Sequence, residues 1–512
     1  MHLLLALLAC APPTEAPPAA PTPLDWRACP DTSGETGPRY RCTTVEVPLR
    51  WDEPNGEQIE LYIKKRTAKR PSGRGVWLLP GGPGFSGLNM ESHAELIGAA
   101  DDSLDLYMPD HRGTGWSAPL ACPAQEALDS VGAEAILPEE FPACIEHLKA
   151  EYGERLGAWS TTETARDLSH LITRADDAQA FVLGVSYGTW LAHRYLQLFP
   201  DQADGVILDS MCAPGACTLS DQDVWEDPVV RSWLEQTCAA DAVCSSYLPD
   251  PWATLQDVHN RLEAGHCEVL GLTAEERRAN LRAGLSSLFL YADFRDVLPA
   301  FIHRVDRCDD DDAEAIYRVF DVLFGAPPTI NLGDPAEERG MYNQVLAANI
   351  LLSELWETPA PTAGELSARY EASVVGRGVS AYFAEVGAGW PTYTEPRADT
   401  FAVTSTPMLM LQSRFDNLTP RDVAAAPMED AFAGPHQHFV ALETGSHNVL
   451  MQSRMASDPS RQCGVELLLS FLADPTGPLD ERCTGDLLAP SFAPSEAFLQ
   501  AVFGTDSLWG GE

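Results

Sequence analysis

The sequence predicts an α/β fold, a doubly wound and mostly parallel sheet with a helical segment inserted between two of its strands. Three observations predict it. Short apolar runs recur, each closed by a Gly-rich or polar turn. Helical patterns separate them. Between residues 214 and 399 the alternation then gives way to helical patterns alone. At 512 residues the chain exceeds a minimal single core, so one large domain with an insertion, or two domains, is expected.

The elements follow in order. His2 to Ala9 is a short apolar run ending Leu7-Leu8-Ala9-Cys10 and followed by a Pro/Ala-rich stretch to Pro23. It is too short to span a bilayer, and no later run of about 18 apolar residues does so. It reads as an export signal over residues 1–9. The Leu-x-Ala-Cys ending resembles a bacterial lipobox, which makes Cys10 the lipidated residue and residues 10–24 a semi-extended tether. An ordinary secretory signal with a coincidental cysteine is the alternative. Next, Thr44-Val45-Glu46-Val47-Pro48-Leu49 and Gln58-Ile59-Glu60-Leu61-Tyr62-Ile63 alternate in polarity around Asp52-Glu53-Pro54-Asn55-Gly56, the pattern of an antiparallel hairpin. Buried parallel strands are expected at 76–79, 104–108, 181–184, 206–208, 408–411 and 439–442, with helices at 162–175 and 190–198 among them. The insertion is expected to hold helices at 228–239, 253–264, 274–291, 313–324, 341–356 and 366–374. These elements divide the chain into a first core part at 25–213, a helical cap at 214–400 and a second core part at 401–512.

Composition narrows the function classes. Asp and Glu number 75 against 34 Lys and Arg, a formal net charge of −41. Such a surface repels nucleic acid and anionic headgroups and also serves solubility. Thirteen cysteines less Cys10 leave twelve, an even number that reads as disulfides in an exported chain. Near neighbours such as Cys29–Cys42, Cys238–Cys244 and Cys463–Cys483 are plausible pairs, although connectivity does not follow from sequence. No Cys-x-x-Cys or close Cys/His cluster suggests zinc. Cys308-Asp309-Asp310-Asp311-Asp312 lacks the spacing and Gly of a calcium loop, and reads as a charged helix N-terminus. No metal or cofactor is expected.

The chemistry concentrates in three loops. Gly184-Val185-Ser186-Tyr187-Gly188 follows an apolar strand and runs directly into a helix, the context of a nucleophile elbow. A serine at its free pKa needs a neighbouring base. Downstream, one strand leads into Ser413-Arg414-Phe415-Asp416 and the next into Glu443-Thr444-Gly445-Ser446-His447. Both candidates lie beyond strand C-termini, in the order serine, acid, histidine. His447 is expected to take the Ser186 proton and Asp416 to orient the ring. Glu443, four residues before His447, is the weaker rival acid. An oxyanion needs two donors: the Tyr187 amide, and Gly82 N–H in Leu79-Pro80-Gly81-Gly82-Pro83-Gly84.

Together, Pro80-Gly81-Gly82-Pro83-Gly84, Asp110-His111-Arg112-Gly113-Thr114-Gly115-Trp116-Ser117 and Gly184-x-Ser186-Tyr187-Gly188 resemble the secreted bacterial proline iminopeptidase and tripeptidyl aminopeptidase group of serine peptidases, peptidase family S33. Val45-Glu46-Val47-Pro48-Leu49 and the Asp416-x-x-Thr419-Pro420 loop fit its secreted branch, and the end of the chain its TAP-like region. Pro80 departs from the His of the smaller cytosolic relatives. The resemblance implies an α/β-hydrolase core, a helical cap, and release of residues from peptides with a free N-terminus. It also implies cap carboxylates holding the substrate ammonium, for which Glu354 and Glu357 are the candidates, with a solvated helix face as the competing reading. An esterase of the same fold and a catalytically silent cell-surface binding protein are the alternatives. His111 reads as loop structure.

Overall fold

The computed structural model describes residues 22–31, 34, 39–127, 129–132, 135–325 and 341–511. The expected export signal and Cys10 lie outside these residues.

Nine strands form one sheet: β1 (Arg27–Ala28), β2 (Tyr40–Pro48), β3 (Gln58–Arg66), β4 (Arg74–Leu79), β5 (Leu104–Pro109), β6 (Gln179–Val185), β7 (Gly205–Asp209), β8 (Met408–Ser413) and β9 (Gln437–Leu442). Their spatial order is β1-β2-β3-β5-β4-β6-β7-β8-β9. The hairpin β2–β3 pairs Val45 with Leu61 and Val47 with Ile59, and its alternating faces follow from that register. From β5 onward all neighbours are parallel. These strands read as continuous apolar runs because both faces are covered: every residue of β7 and β8 is buried.

The chain order reverses at β4, which has β5 on one side and β6 on the other. In open α/β sheets, ligands bind outside the strand C-termini at such a point. The glycine-rich loop leaves β4 there and the Gly-x-Ser-x-Gly turn leaves β6. Helix Tyr187–Leu198 is buried along nearly its whole length and packs against helix Thr161–Arg174. The latter is started by Ser160, whose hydroxyl accepts from Glu163 N–H, and buries Ala165, Leu168, Leu171 and Ile172 at helical spacing.

Between β7 and β8 the described residues are helical. Helices Gln222–Trp233, Pro251–Glu263, Ala274–Leu290, Leu298–Arg307 and Asp310–Phe324 enclose their own apolar core around Trp233, Phe289 and Phe301. Two features differ from the expected division of the chain. Helix Gln344–Glu354 joins the main core through Val345, Leu346 and Ile350, although it lies within the insertion. The C-terminal residues Leu499, Val502, Phe503 and Trp509 join the core of the cap. The first Asp of the acidic run, Asp309, caps helix Asp310–Phe324, and Asp312 is buried against Arg304 at 3.1 Å.

The twelve cysteines after Cys10 form six disulfides: Cys29–Cys42, Cys122–Cys144, Cys212–Cys217, Cys238–Cys244, Cys267–Cys308 and Cys463–Cys483. The three near-neighbour pairs expected from sequence are among them. Such a framework belongs to an oxidising compartment. No helix among the described residues is long and apolar enough to cross a membrane.

Candidate active site

Ser186 stands between β6 and helix Tyr187–Leu198 with φ 57° and ψ −123°, a conformation that costs a non-glycine residue about 1–3 kcal/mol. Its neighbours over-determine it. A Cβ on Gly184 would lie 2.1 Å from Gly188 O, and one on Gly188 would lie 2.3 Å from Leu79 O. Both glycines are therefore required by close backbone approach. Ser186 N–H donates to Asp209 O at 2.9 Å, and the Thr189 hydroxyl donates to Ser186 O at 2.6 Å. The strain is thus held in place on both sides of the serine.

The structure brings Asp416 and His447 together. His447 Nδ1 lies 3.0 Å from Asp416 Oδ1 and 2.9 Å from Oδ2. Asp416 is fully buried and also accepts from Thr419 N–H at 2.9 Å, Leu418 N–H at 3.0 Å and the Thr419 hydroxyl at 2.8 Å. Burial works against its ionisation, but the His447 ring and Thr419 outweigh burial and hold the carboxyl below the usual carboxylate range. Glu443 is no competitor, because it faces solvent and pairs with Arg414 at 2.9 Å. No hydrogen bond joins Ser186 Oγ directly to His447 in this state, yet both line the same cavity. Such contacts are often long before substrate binds.

The cavity, about 960 Å³, lies between the sheet and the cap. Gly81, Gly82 and Tyr187 line it beside Ser186. Gly81 packs so closely that a Cβ there would sit 3.0 Å from Ser186 Cβ. The loop after β4 is anchored from below by buried Asp110, which accepts from the Ser86 hydroxyl at 2.5 Å, Gly87 N–H at 2.7 Å and Trp116 N–H at 2.8 Å. Arg112 of the same motif forks onto Asp167 at 2.7 Å through two nitrogens and locks the hairpin side of the sheet through Leu49 O. His111 is buried beside it as loop structure, its Nδ1 at 3.2 Å from Arg112 O. Among the described residues no group of three or more His, Cys, Asp or Glu side chains could hold a metal ion.

The family model described as alpha/beta hydrolase fold matches residues 76–235, and the model described as TAP-like protein matches residues 372–483. The chain has the α/β-hydrolase fold. Among curated relatives, the tripeptidyl aminopeptidase of Streptomyces coelicolor is 31% identical over 268 residues, covering 48% of this chain and 49% of that protein. Serine protease Hip1 of Mycobacterium tuberculosis is 26% identical over 221 residues, 39% of this chain and 42% of that one. Carboxylesterase B of Mycobacterium tuberculosis is 31% identical over 168 residues, 29% of this chain and 32% of that one. The match thus spans about half the length of the first relative and less of the other two.

Within this fold the two carboxylates expected at a substrate amine are elsewhere. Glu354 is buried behind the cavity wall and fully engaged: Oε1 accepts from Thr161 N–H at 2.8 Å and the Tyr393 hydroxyl at 2.5 Å, and Oε2 from Trp190 Nε1 at 3.2 Å. Glu357 pairs with Arg369 at 2.6 Å and accepts from the Ser220 hydroxyl at 3.1 Å. Neither lines the cavity. The carboxylates that do are Asp293 and Asp296.

The structure also adds residues that sequence reasoning missed. Asp209, at the end of β7, grips both halves of the site. Its carbonyl receives Ser186 N–H, and its carboxylate receives Val449 and Leu450 N–H at 2.8 Å each, just after His447. Ser210 Oγ receives Asn448 N–H at 2.7 Å. From the cap, the buried Arg295 donates to Gly445 O, and the Ser446 hydroxyl donates to Phe289 O at 2.9 Å. Gln452 Nε2 bridges Leu290 O at 3.0 Å and His447 O at 2.5 Å. No local sequence signal marks these positions, because each acts through a partner distant in the chain.

Proposed function

We propose that this chain is an exported serine aminopeptidase that releases N-terminal residues from peptides through an acyl-enzyme on Ser186. The observation that carries the reading is the buried Asp416–His447 pair opening onto the same cavity as a strained, elbow-borne serine. The relatives named as peptidases support the choice of substrate class.

In the forward step His447 Nε2 takes the Ser186 proton as Oγ bonds to the carbonyl carbon. The displaced π pair moves onto the oxygen, where the amides of Gly82 and Tyr187 receive it. Collapse breaks the C–N bond, and the leaving amine carries off the proton from His447. Water, deprotonated by the same ring, then attacks the ester; as the C–O bond breaks the ring returns that proton to Ser186 Oγ, and the N-terminal fragment leaves as its carboxylic acid, which ionises in water. Asp416 stays ionised and keeps Nδ1 protonated throughout. Of the two cavity carboxylates, Asp293 is paired with Arg454 at 2.7 Å, which leaves Asp296, an acceptor from Ser491 N–H at 2.8 Å, as the candidate for a substrate ammonium. Residues 25–213 and 401–512 supply the core in this reading and 214–400 the cap. The anchor is a lipid on Cys10 after removal of residues 1–9.

A second reading, a carboxylesterase, is favoured by one observation: Glu354 and Glu357 are both committed to internal partners. A free-amino tripeptidyl anilide, its N-acetyl twin and a short acyl ester separate the two. The aminopeptidase reading expects the free peptide to exceed its acetylated twin at least tenfold in kcat/KM. Equal rates on the two peptides would overturn it. Ser186→Ala should lower kcat on every substrate by on the order of 10⁴-fold or more.

A further inference from the structure

We propose that Arg377 forms an anion-recognising subsite, so that the cavity selects peptides carrying a carboxylate in addition to the scissile bond. The inference rests on the serine-hydrolase reading above and extends it to substrate class.

Three arginines line the cavity among the described residues: Arg295, Arg377 and Arg454. Two are spent. Arg295 is buried against Trp233, Phe289 and Phe415 and donates to Gly445 O. Arg454 pairs with Asp293 at 2.7 Å. Arg377 alone has neither an ion pair nor a hydrogen bond among the described residues.

The reason lies in the neighbouring helix Gln222–Trp233. Its two carboxylates nearest the Arg377 loop are taken by backbone amides. Asp227 receives Val375 N–H at 2.8 Å and Val374 N–H at 3.2 Å, on one side of Arg377. Asp223 receives Gly378 N–H at 2.8 Å, Val379 N–H at 3.2 Å and Ser380 N–H at 3.1 Å, on the other. Glu226 of the same helix is buried and accepts from Asn417 Nδ2 at 2.6 Å. The loop is therefore pinned at both ends while its one cation, which acts on the buried Glu226 only through space, makes no hydrogen bond or ion pair among the described residues at the cavity wall it shares with Tyr342, Val379 and Phe383. A fixed backbone lowers the ordering cost of a bound partner, and a guanidinium facing an apolar wall matches a carboxylate by two parallel hydrogen bonds. The carboxylate could be an acidic side chain in the released fragment or the C-terminus of a short peptide.

Paired substrates distinguish these sources: free-amino tripeptidyl anilides with Glu or Gln at each of the three positions, and a tetrapeptide acid with its amide. At one position, or at the C-terminus, wild type should prefer the acid about tenfold or more in kcat/KM. Arg377→Gln should reduce that preference to within twofold while leaving the all-alanine anilide within twofold of wild type, and Arg377→Lys should restore part of it. Wild type without an acid preference at any position, or an equal loss on acidic and neutral partners in Arg377→Gln, would overturn the subsite. Labelling of Ser186 by a fluorophosphonate keeps the two failures apart. An enzyme that labels and hydrolyses but ignores charge defeats only the subsite. One that neither labels nor turns over any substrate defeats the hydrolase reading and the subsite with it.

Discussion

Asp209 shows how much of the proposed catalytic geometry can hang on a residue to which that proposal gives no chemical step. Its backbone carbonyl holds Ser186 and its side chain holds the first turn after His447, so one strand end sets the spacing of two loops. Asp209→Asn keeps the volume but replaces one acceptor oxygen by a donor, which then faces a buried N–H. An unsatisfied buried donor costs about 1–3 kcal/mol. We expect a destabilisation of about that size and, with the His447 loop loosened, a kcat lowered at least tenfold with little change in KM. Thermal melting with steady-state kinetics checks it. A variant that melts lower but keeps wild-type kcat would leave Asp209 a purely structural residue.

At the scale of elements, the parts that could be read from sequence are those whose causes are local. The strands announce themselves as apolar runs, and the elbow needs Gly184 and Gly188 because backbone atoms crowd both positions. Asp416 and His447 were legible from chain order and from their places after β8 and β9. Glu354 was not. Its helix, Gln344–Glu354, looks like part of a solvated cap in sequence, yet it is buried in the main core, and the partners of Glu354 come from three segments up to 193 positions away. Arg295 is similar, since nothing near it in sequence reveals Gly445 as its partner. Burial pushes its guanidinium down to about 10, and aromatic rings surround it. Arg295→Met relieves the desolvation of a buried cation that has no ion pair among the described residues, which offsets the loss of the donor to Gly445 O. The expected outcome is a melting temperature no lower than wild type together with at least a tenfold loss of kcat. Parallel losses of both would show that the arginine holds the cap together and does not position the histidine loop.

For the molecule as a whole, the union of cap and core carries a pH signature. Glu226 is buried in the cap against Asn417, the residue after the proposed catalytic acid. Burial pushes its carboxyl up to about 7, against the pull of Arg377, Ser286 and Asn417, with Asp223 adding to the rise. A folded value above the unfolded one, about 4.3, means that the folded chain takes up a proton between the two. Stability from this group is thus present at low pH and lost as pH rises through about 4.5–7. Glu226→Gln removes the titration and keeps an oxygen for Asn417. Its stability relative to wild type should therefore climb by on the order of 3 kcal/mol between pH 5 and pH 8. Melting curves that stay a constant distance apart across that range would refute the linkage.

The stitches from Arg295, Phe289, Leu290 and Glu226 into the histidine and acid loops have one more consequence. A roof tied to the His447 and Asp416 loops cannot lift without disturbing both. With the cap held down, a substrate of the proposed enzyme has to thread into a chamber of about 960 Å³. Such a chamber is expected to act as a sieve, turning over short peptides or small esters while sparing the same sequence inside a folded protein.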